Sequence, residues 1–352
     1  MLTQGDDKPT ETPERKAFYE RIDKQHMTPL WSVLGDLVTP EPRSNCRPFV
    51  WPFDKIRHAM IEAGGLITAK EAERRVLILE NPGLRGQSRI TTSLYAGVQL
   101  VLPGEVAPAH RHTQSALRFV LEGEGAHTAV DGEKTIMRYG DFVITPHMAW
   151  HDHGNETDEP MFWLDGLDIP VVSFLDASFA EGLGDDEQTI TRATGQSNAE
   201  YGNALLPDNA SRSIVSPMFN YPYDRSRETL DAMTRGSDPD ACHGWKLRYV
   251  NPLNGDDAIP TMGTSIQLLN VGQTTPFKST SATIFVCVEG SGKSHIGEMI
   301  VEWKPKDIFV VPSWVSIVHD ATQESVLFSY NDKPIQQKLG LYRELRGNEN
   351  GA

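Results

Sequence analysis

Two stretches of sequence decide the fold: GEVAPAHRH at residues 104–112 and GDFVITPHMAWHDHGN at residues 140–155. In a β-strand, residues two positions apart point to the same face and lie roughly 6.6 Å apart. His110 and His112 are therefore predicted to share one face of a strand, close enough to bind one ion. A third ligand must come from another segment, and His151, which follows a β-like run in the second stretch, is the best candidate.

The surroundings of these histidines distinguish them from an isolated His-x-His pair, which is more often a surface feature than a metal site. A glycine turn at Gly104 precedes the pair, and Gly140, Pro146, His151 and Asn155 follow in order along the chain. This combination favours a metal site formed by three imidazoles.

Three neutral imidazoles leave a divalent metal with its full charge and with open coordination positions. Zinc bound in this way activates water. Iron(II) with open positions can instead hold an organic chelate and O2 together. The ligand set alone leaves both metals open.

The two stretches resemble the motifs of the cupin family, G-x5-H-x-H and G-x5-P-x-G-x2-H-x3-N. Met148 stands where the second motif has its inner glycine, and Ala-Leu-Arg at residues 116–118 replaces the Glu ligand of the first. The segment PAHRHTQSALRF at residues 108–119 looks like the gentisate 1,2-dioxygenase group, with its salicylate and 1-hydroxy-2-naphthoate relatives. That group uses three histidines and no Glu. The resemblance covers roughly residues 50 to 340.

The resemblance implies a chemistry that the ligands alone do not choose. It implies Fe(II) held by His110, His112 and His151, with a small aromatic carboxylate and O2 as the reactants. Gentisate would be opened between C1 and C2 to maleylpyruvate. The same chemistry on 1-hydroxy-2-naphthoate or salicylate is one alternative, and a non-catalytic bicupin that stores or binds a ligand is another.

An aromatic carboxylate needs cationic partners, preferably the planar guanidinium of arginine. Arg118 lies in the apolar segment after the histidine pair, so its side chain is expected to face the barrel interior. The resemblance places a further arginine at residues 74–75, and Arg74 is the better candidate than Arg75. It also implies that His153 meets the hydroxyl group of the substrate, as a hydrogen-bond partner or as a base.

Four more residues match pocket positions of the group. Gln99 and Asp165 match positions near the ring, where an amide and a carboxylate could hydrogen-bond the 5-hydroxyl that separates gentisate from salicylate. Tyr95 and Gly97 fall where pocket size and substrate choice are set. The last two also fit a plain β-strand.

Composition excludes several classes of partner. The formal net charge of −15 argues against nucleic acid and anionic membranes, which both need a basic surface. The sequence has no apolar run of 18 residues that would span a membrane. Three scattered cysteines form no disulfide framework and the N-terminus lacks the apolar core of a signal peptide, so a cytoplasmic protein is expected.

We expect an all-β bicupin, that is, two jelly-roll β-barrels with an N-terminal helical arm. The predicted division is residues 1–80 for the arm, 81–175 for a metal-binding cupin barrel, 176–240 for a linker with a short helix, and 241–340 for a second barrel without metal ligands. The second barrel repeats turn residues of the first, but Lys278-Ser279-Thr280 aligns with the histidine pair and Ile317 with His151. The resemblance implies a homotetramer that the arm helps to build.

Three local predictions can be checked directly. A helix is expected from Phe53 to Ala63, ended by the glycine pair that follows it. Residues 76–79 are expected to form a buried strand. Residues 129–134, with Asp-Gly in the middle, are expected to form a hairpin.

Overall fold

In the computed structural model, which describes residues 12–210 and 212–347, the chain divides into one unit of residues 1–43 and another of residues 44–352. The first unit holds two helices, α1 (Pro13–Asp23) and α2 (Leu30–Leu37). Thr12 begins α1, because its Oγ1 accepts a hydrogen bond from the N–H of Arg15 (3.2 Å). The start of the predicted arm, residues 1–11, lies outside the described residues.

The second unit is dominated by β-strands. Its helices are α3 (Phe53–Leu66), α4 (Ala69–Ala72), a 3-10 turn (Pro82–Leu84), α5 (Ile169–Phe174), α6 (Gln196–Tyr201), α7 (Tyr223–Gly236) and α8 (Lys333–Lys338). Its strands are β1 (Phe49–Trp51), β2 (Val76–Ile78), β3 (Tyr95–Val101), β4 (Val106–His112), β5 (Ala116–Glu122), β6 (His127–Val130), β7 (Glu133–Ile136), β8 (Phe142–Thr145), β9 (His151–Gly154), β10 (Met161–Leu167), β11 (Ala180–Gly182), β12 (Asn220–Tyr221), β13 (Trp245–Arg248), β14 (Gly263–Leu269), β15 (Gly272–Gln273), β16 (Phe277–Ser279), β17 (Thr283–Glu289), β18 (Gly292–Ile296), β19 (Met299–Trp303), β20 (Ile308–Val311), β21 (Ile317–Ala321), β22 (Ser325–Asn331) and β23 (Glu344–Arg346).

The strands form two barrels, each of two antiparallel sheets. In the first barrel a six-stranded sheet, β12-β8-β5-β10-β3-β2, faces a five-stranded sheet, β11-β4-β9-β6-β7. In the second barrel the sheets are β1-β20-β17-β22-β14-β13 and β19-β18-β21-β16-β23. The predicted all-β architecture of two jelly-roll barrels is confirmed.

Several strands lie outside the barrel that their place in the sequence suggests. Strand β1 precedes the first barrel in the chain but pairs with β20 of the second. Residues 176–240 contribute β11 and β12 to the two sheets of the first barrel, in addition to connecting it to the second. The chain therefore passes between the barrels twice, once between β1 and β2 and once after β12.

The two six-stranded sheets pack face to face, and their alternate side chains form one core between the barrels. Phe119 of the first barrel stacks on Phe328 of the second with ring centroids 4.1 Å apart. The opposite faces of the same sheets point into the two barrel interiors, which hold separate apolar clusters. Each strand of these sheets thus contributes side chains to the core between the barrels and to one barrel interior. The interior-facing residues are the ones that can form a binding or catalytic site.

Two of the local predictions need correction. Helix α3 continues through Gly64 to Leu66, because burial of Phe53, Ile56 and Met60 outweighs a glycine cost of only about 1 kcal/mol per residue. Strand β2 exists, but it is the edge of its sheet, and Leu77 is 37% exposed. An apolar run alone does not distinguish an edge strand from a central one.

The hairpin prediction is confirmed. Strands β6 and β7 are joined by Asp131 and Gly132, both of which have positive φ (44° and 79°), as a two-residue type I′ turn requires. Among the described residues, no helix is long and apolar enough to cross a membrane.

Candidate active site

The two strands that carry the candidate ligands are neighbours in the five-stranded sheet of the first barrel. Strand β4 pairs with β9 so that His110 lies opposite His151, after a register shift that follows Ala107. The other edge of β4 is covered by β11, with Ala180 opposite His112. Both edges of the ligand strand are thus held by backbone hydrogen bonds.

The structure brings the three predicted ligands together. One nitrogen from each of His110, His112 and His151 can be chosen so that all three lie within 4.8 Å of one another. Their ring centroids are 4.1 to 5.2 Å apart. Among the described residues this is the one group of three or more His, Cys, Asp or Glu side chains arranged to hold a metal ion.

Backbone carbonyl groups fix the orientation of two of these rings. Nδ1 of His112 donates to the carbonyl oxygen of Gln114 (2.8 Å), and Nδ1 of His151 donates to that of Ala149 (3.0 Å). Each Nε2 therefore keeps its lone pair for a metal, the usual arrangement of metal-binding histidines.

The electrostatics of the site keep these imidazoles neutral. Burial, together with the charges of Arg74 and Arg118, lowers the pKa of His110 to about 3 and that of His112 to about 4. The pKa of His151 also lies well below its usual value, mainly because of burial. A neutral imidazole is the form that binds a metal, so the donor set fits a divalent cation.

The residue at the inner-glycine position of the second motif keeps the glycine-like conformation. Met148 has φ of 58°, in the left-handed region that a side chain rarely occupies. Its N–H donates to the carbonyl oxygen of His112 (2.8 Å). The turn before β9 is therefore tied to the ligand strand β4 even without a glycine.

Arg118 points into the same interior and is 3% exposed. Its Nη1 donates to Oγ1 of Thr145 (2.5 Å), and its Nη2 donates to Nε2 of His153 (3.0 Å). Its Nε lies 3.6 Å from Oδ1 of Asp165. A buried guanidinium is thus placed beside the three imidazoles, with one carboxylate near it.

The tautomer of His153 follows from this contact. A guanidinium only donates, so Nε2 of His153 must accept and Nδ1 must carry the proton. Nδ1 has no hydrogen-bond partner among the described residues, and the ring is fully buried. Burial first, and then Arg118, lowers the pKa of His153 well below its usual value.

The two neighbouring arginines point to different places. The guanidinium of Arg74 contacts Nδ1 of His110 and donates to the carbonyl oxygen of Pro108 (2.8 Å). Arg75 instead forms a two-pronged ion pair with Glu105, at 2.7 and 2.8 Å. Of the two, Arg74 reaches the candidate site.

The four remaining candidates face the interior from two adjacent strands. Gln99, Gly97 and Tyr95 alternate along β3, and Asp165 lies opposite Gly97 on β10. Burial raises the pKa of Asp165 to about 6, although Arg118 and a hydrogen bond from Nε1 of Trp163 lower it.

Close packing of two side chains favours glycine at residue 97. A Cβ atom there would lie 2.5 Å from Cγ1 of Val76 and 2.7 Å from the hydroxyl oxygen of Tyr95. The Tyr95 hydroxyl therefore folds over the glycine on the interior face of β3, and a larger residue at 97 would displace it.

Sequence analysis missed the groups that orient the site. Thr145 accepts from Arg118, and Trp163 donates to the buried carboxylate beside it. Alternation along β8 and β10 places both on interior faces, so this signal was present. The carbonyl groups of Gln114 and Ala149 carry no such signal, because every residue has a backbone carbonyl.

The second barrel has apolar residues where the first has its candidate metal ligands. Phe277 on β16 pairs with Ile317 on β21 as His110 pairs with His151. Neither side chain can bind a metal, and Ile317 is buried in the apolar cluster of the second interior.

The predicted alignment of the two barrels is therefore wrong by one residue. It placed Lys278 at the position of His110, whereas the strand pairing places Phe277 there. The chain between Gly272 and the paired residue is one residue shorter than the chain after Gly104. Turn glycines align the loops but do not report such a shortening.

Comparisons with known proteins agree with this geometry. Residues 97–167 match the model of the Cupin domain family. The chain is 57% identical to gentisate 1,2 dioxygenase 1 of Aquipseudomonas alcaligenes, over 97% of this chain and 99% of that protein. It is 34% identical to 5-aminosalicylate 1,2-dioxygenase of Comamonas sp., over 93% of this chain and 89% of that protein.

A solved structure of a related protein has the same fold. The solved structure of salicylate 1,2-dioxygenase from Pseudoaminobacter salicylatoxidans in an adduct with gentisate is 33% identical and superposes with a TM-score of 0.92. The superposition covers 100% of this chain and 98% of that one. The chain belongs to the gentisate 1,2-dioxygenase family. It is thus an enzyme of a ring-cleaving dioxygenase family, and its three-histidine group fits a metal.

Proposed function

We propose that the protein is an Fe(II)-dependent gentisate 1,2-dioxygenase that opens gentisate between C1 and C2 to give maleylpyruvate. One observation carries the proposal: three neutral imidazoles converge in one barrel interior beside two arginine side chains, Arg74 and Arg118. A metal and an organic anion can be held together only where both sets of groups meet.

In the proposal, His110, His112 and His151 hold the iron, and His112 and His151 do so through their free Nε2 lone pairs. Three neutral ligands leave coordination positions open, as oxygenase chemistry needs. When bound, ferrous iron supplies the binding of O2 and the electron transfer that ring cleavage requires. The protein supplies positioning, charge and the handling of protons.

Arg118 and Arg74 bind the substrate carboxylate. Arg118 is partnered in this structure by Nε2 of His153 and by Thr145, and both are neutral acceptors. A carboxylate is the stronger partner for a guanidinium. When Nη2 turns to the carboxylate, Nε2 of His153 is released and can accept the proton of the substrate's ortho-hydroxyl group.

The opposite side of the interior favours a ring with a second hydroxyl group. Gln99 and Asp165 are buried and polar, and Tyr95 adds a hydroxyl on the same face. A site with buried polar groups disfavours a substrate that leaves them unpaired. Gentisate has the 5-hydroxyl that salicylate and 1-hydroxy-2-naphthoate lack, so these two acids are the weaker candidates.

The storage-protein alternative is disfavoured by the same residues. A storage or general ligand-binding bicupin has no need of a buried arginine that contacts a histidine beside a metal group. We place the enzyme in the cytoplasm as a homotetramer. The buried, unpaired state of Cys46, Cys242 and Cys287 supports a reducing compartment.

The test is to purify the protein without oxygen, measure its metal content, and follow oxygen uptake with the three acids side by side. The proposal expects about one iron per chain, one O2 consumed per gentisate, and a higher kcat/KM for gentisate than for either rival. A higher kcat/KM for salicylate or 1-hydroxy-2-naphthoate would replace the substrate but keep the chemistry. Absence of oxygen uptake by iron-loaded protein with all three acids would leave the storage alternative.

A further inference from the structure

The interior of the second barrel also holds a group of polar side chains, one of which, His319, packs against Phe285 and Phe309 of the apolar cluster. Along β14, Ile266 and Leu268 face the core between the barrels, so Gln267 points to the interior. By the same alternation Ser329 on β22 and His319 on β21 face the interior too. We call these three residues the inner polar group.

Atoms of the inner polar group are buried without partners. Both amide atoms of Gln267, Nε2 of His319 and Oγ of Ser329 have no hydrogen-bond partner among the described residues. The three residues are at most 1% exposed. Buried polar atoms without partners are costly, and each one calls for an explanation such as a bound water or ligand.

A lysine lies at the entrance to this group. Lys246 on β13 pairs with Gln267 and shares its face of the sheet. No described residue forms an ion pair or a hydrogen bond with Lys246. The nearby carboxylates of Asp240 and Glu344 are both bound by Arg346, at 2.7 and 2.6 Å.

The charge around Lys246 is unbalanced. Burial and the neighbouring ammonium group of Lys333 lower the pKa of Lys246 to about 8, against the smaller opposite effects of Glu344 and Asp240. An ammonium group in this setting gains from an anion, which would offset both its burial and the repulsion from Lys333.

A cavity opens at this point. It has a volume of about 430 Å³, and His243, Lys246 and Ser265 are among the residues that line it. Ser265 lies opposite Ser329 in the strand pairing, and Lys246 lies opposite Gln267. Gln267 and Ser329 therefore lie directly beside two residues of the cavity lining. The size of the cavity falls in the range of small-molecule sites.

We propose that the second barrel has a separate, metal-free site for a small organic carboxylate, with Lys246 as its charged anchor and Gln267, Ser329 and His319 as its neutral hydrogen-bond partners. One ammonium with neutral donors matches a single negative charge better than a phosphate dianion. The imidazole of His243 is part of the cavity lining, and Phe277 packs behind it with ring centroids 4.3 Å apart. The site does not depend on the chemistry of the first barrel.

The strand pairing relates this site to the first barrel. On β14, Gln267 pairs with Leu327 on one side and with Lys246 on the other. In the first barrel Gln99 has the corresponding place, between Trp163 and Val76. The second barrel thus keeps the interior amide, loses the metal ligands, and places a cation where the first has a valine.

The experiment is a soak of crystals of the full-length, iron-loaded protein with 4-bromobenzoate, located by the anomalous signal of bromine. This probe lacks the ortho-hydroxyl group that would chelate iron. The expected result is a bromine peak in the second barrel, with the carboxylate within hydrogen-bonding distance of Lys246. The absence of any bromine peak in the second barrel would overturn the proposal.

Variants test the anchor in solution. Titration calorimetry with benzoate should lose the second-barrel component in Lys246→Met and weaken it at least about 10-fold in Gln267→Leu. Lys293→Met, on the outer side of the barrel and paired with Asp320, should bind as the unchanged protein does. Retained oxygen uptake with gentisate shows that a variant is folded, and folded Lys246→Met with unchanged benzoate binding and an unchanged bromine peak would also overturn the proposal.

Discussion

The two barrel interiors share one backbone plan but differ in what fills them. At paired positions the first barrel has Arg118 and Asp165, and the second has Phe285 and Ser329. Phe285 stacks on Phe309 with centroids 5.0 Å apart, in an interior that is mostly apolar. The residues that face the core between the barrels are apolar in both. The shared core fixes the fold, and the interior face is free to carry chemistry.

The buried ion pair between Arg118 and Asp165 makes the first interior costly in free energy. Taking a guanidinium and a carboxylate out of water costs several kcal/mol per ion, which their attraction only partly offsets. The second barrel contributes to holding this interior in place. Tyr330 on β22, for example, donates its hydroxyl to the carbonyl oxygen of Tyr95 on β3 (2.9 Å). One barrel thus helps to position a strand that lines the candidate active site of the other.

Of the differences between the two barrels, the proposed metal ligands are expected to have the largest effect on activity when they are substituted. His112→Ala should remove the bound metal and lower turnover below detection, because two imidazoles from separate strands cannot retain the ion. Ser279→Ala is the matched control, since Ser279 accepts from the N–H of Trp314 as His112 accepts from that of Met148. Metal analysis and oxygen uptake check both variants. Metal retained at one ion per chain in His112→Ala would remove this residue from the ligand set.

The next effect concerns the core between the barrels. Phe328→Ala leaves a cavity beside Phe119 and Phe142, so the free energy of unfolding should fall by about 3–5 kcal/mol. Denaturant titration followed by tryptophan fluorescence and by metal release measures it. The denaturant concentrations at which fluorescence changes and at which metal is released should both fall. An unchanged midpoint of metal release would show that the first barrel does not depend on the second.

Much of this fold was predictable from particular residues. The His-x-His spacing, the glycine turns and the repeat of Leu-Glu-Gly-x-Gly by Val-Glu-Gly-x-Gly indicated two similar barrels and three convergent ligands. These signals are local, because a turn needs its glycine and a strand alternates whatever it packs against. For the same reason the interior direction of Arg118 followed from its place in an apolar strand.

What sequence could not supply depends on partners far along the chain. Nothing in residues 49–51 indicates that they pair with β20 of the second barrel. Arg74 and Arg75 are adjacent and alike, and only the position of Glu105 decides which of them points away from the three histidines. The contact of Arg118 with His153 likewise joins residues from two sheets. Such pairings are properties of the assembled barrel.

A smaller loss of activity is expected from substitution of Arg118, whose counterpart in the second barrel is Phe285. Arg118→Met should keep the metal but lower kcat/KM for gentisate by about 10²- to 10³-fold, mainly through KM, because it removes a charge-assisted partner of the carboxylate. Arg111→Met is the matched control, since Arg111 lies between the two proposed ligands of β4 but pairs with Glu181 and stacks over Trp150. An unchanged KM in Arg118→Met would exclude its role in substrate binding.

The smallest expected effect is a pH dependence of the free energy of unfolding that arises from Asp165 in the first interior. The corresponding residue of the second barrel, Ser329, carries no charge. The pKa of Asp165 is raised from 3.8 to about 6 by burial. Between these values the folded protein binds more protons at this carboxyl than the unfolded chain does. Stability therefore falls as the pH rises through this window, because the buried carboxylate must then ionise.

Asp165→Asn removes this titration while keeping the shape of the side chain. The free energy of unfolding of the unchanged protein, minus that of the variant, should decrease by about 2 kcal/mol between pH 4 and pH 6. Denaturant titrations of both proteins across that range measure the difference, and other carboxyl groups cancel because both proteins carry them. A difference that rises with pH would mean that Arg118 lowers the pKa of Asp165 by more than burial raises it. The ion pair, rather than desolvation, would then dominate the interior of the first barrel.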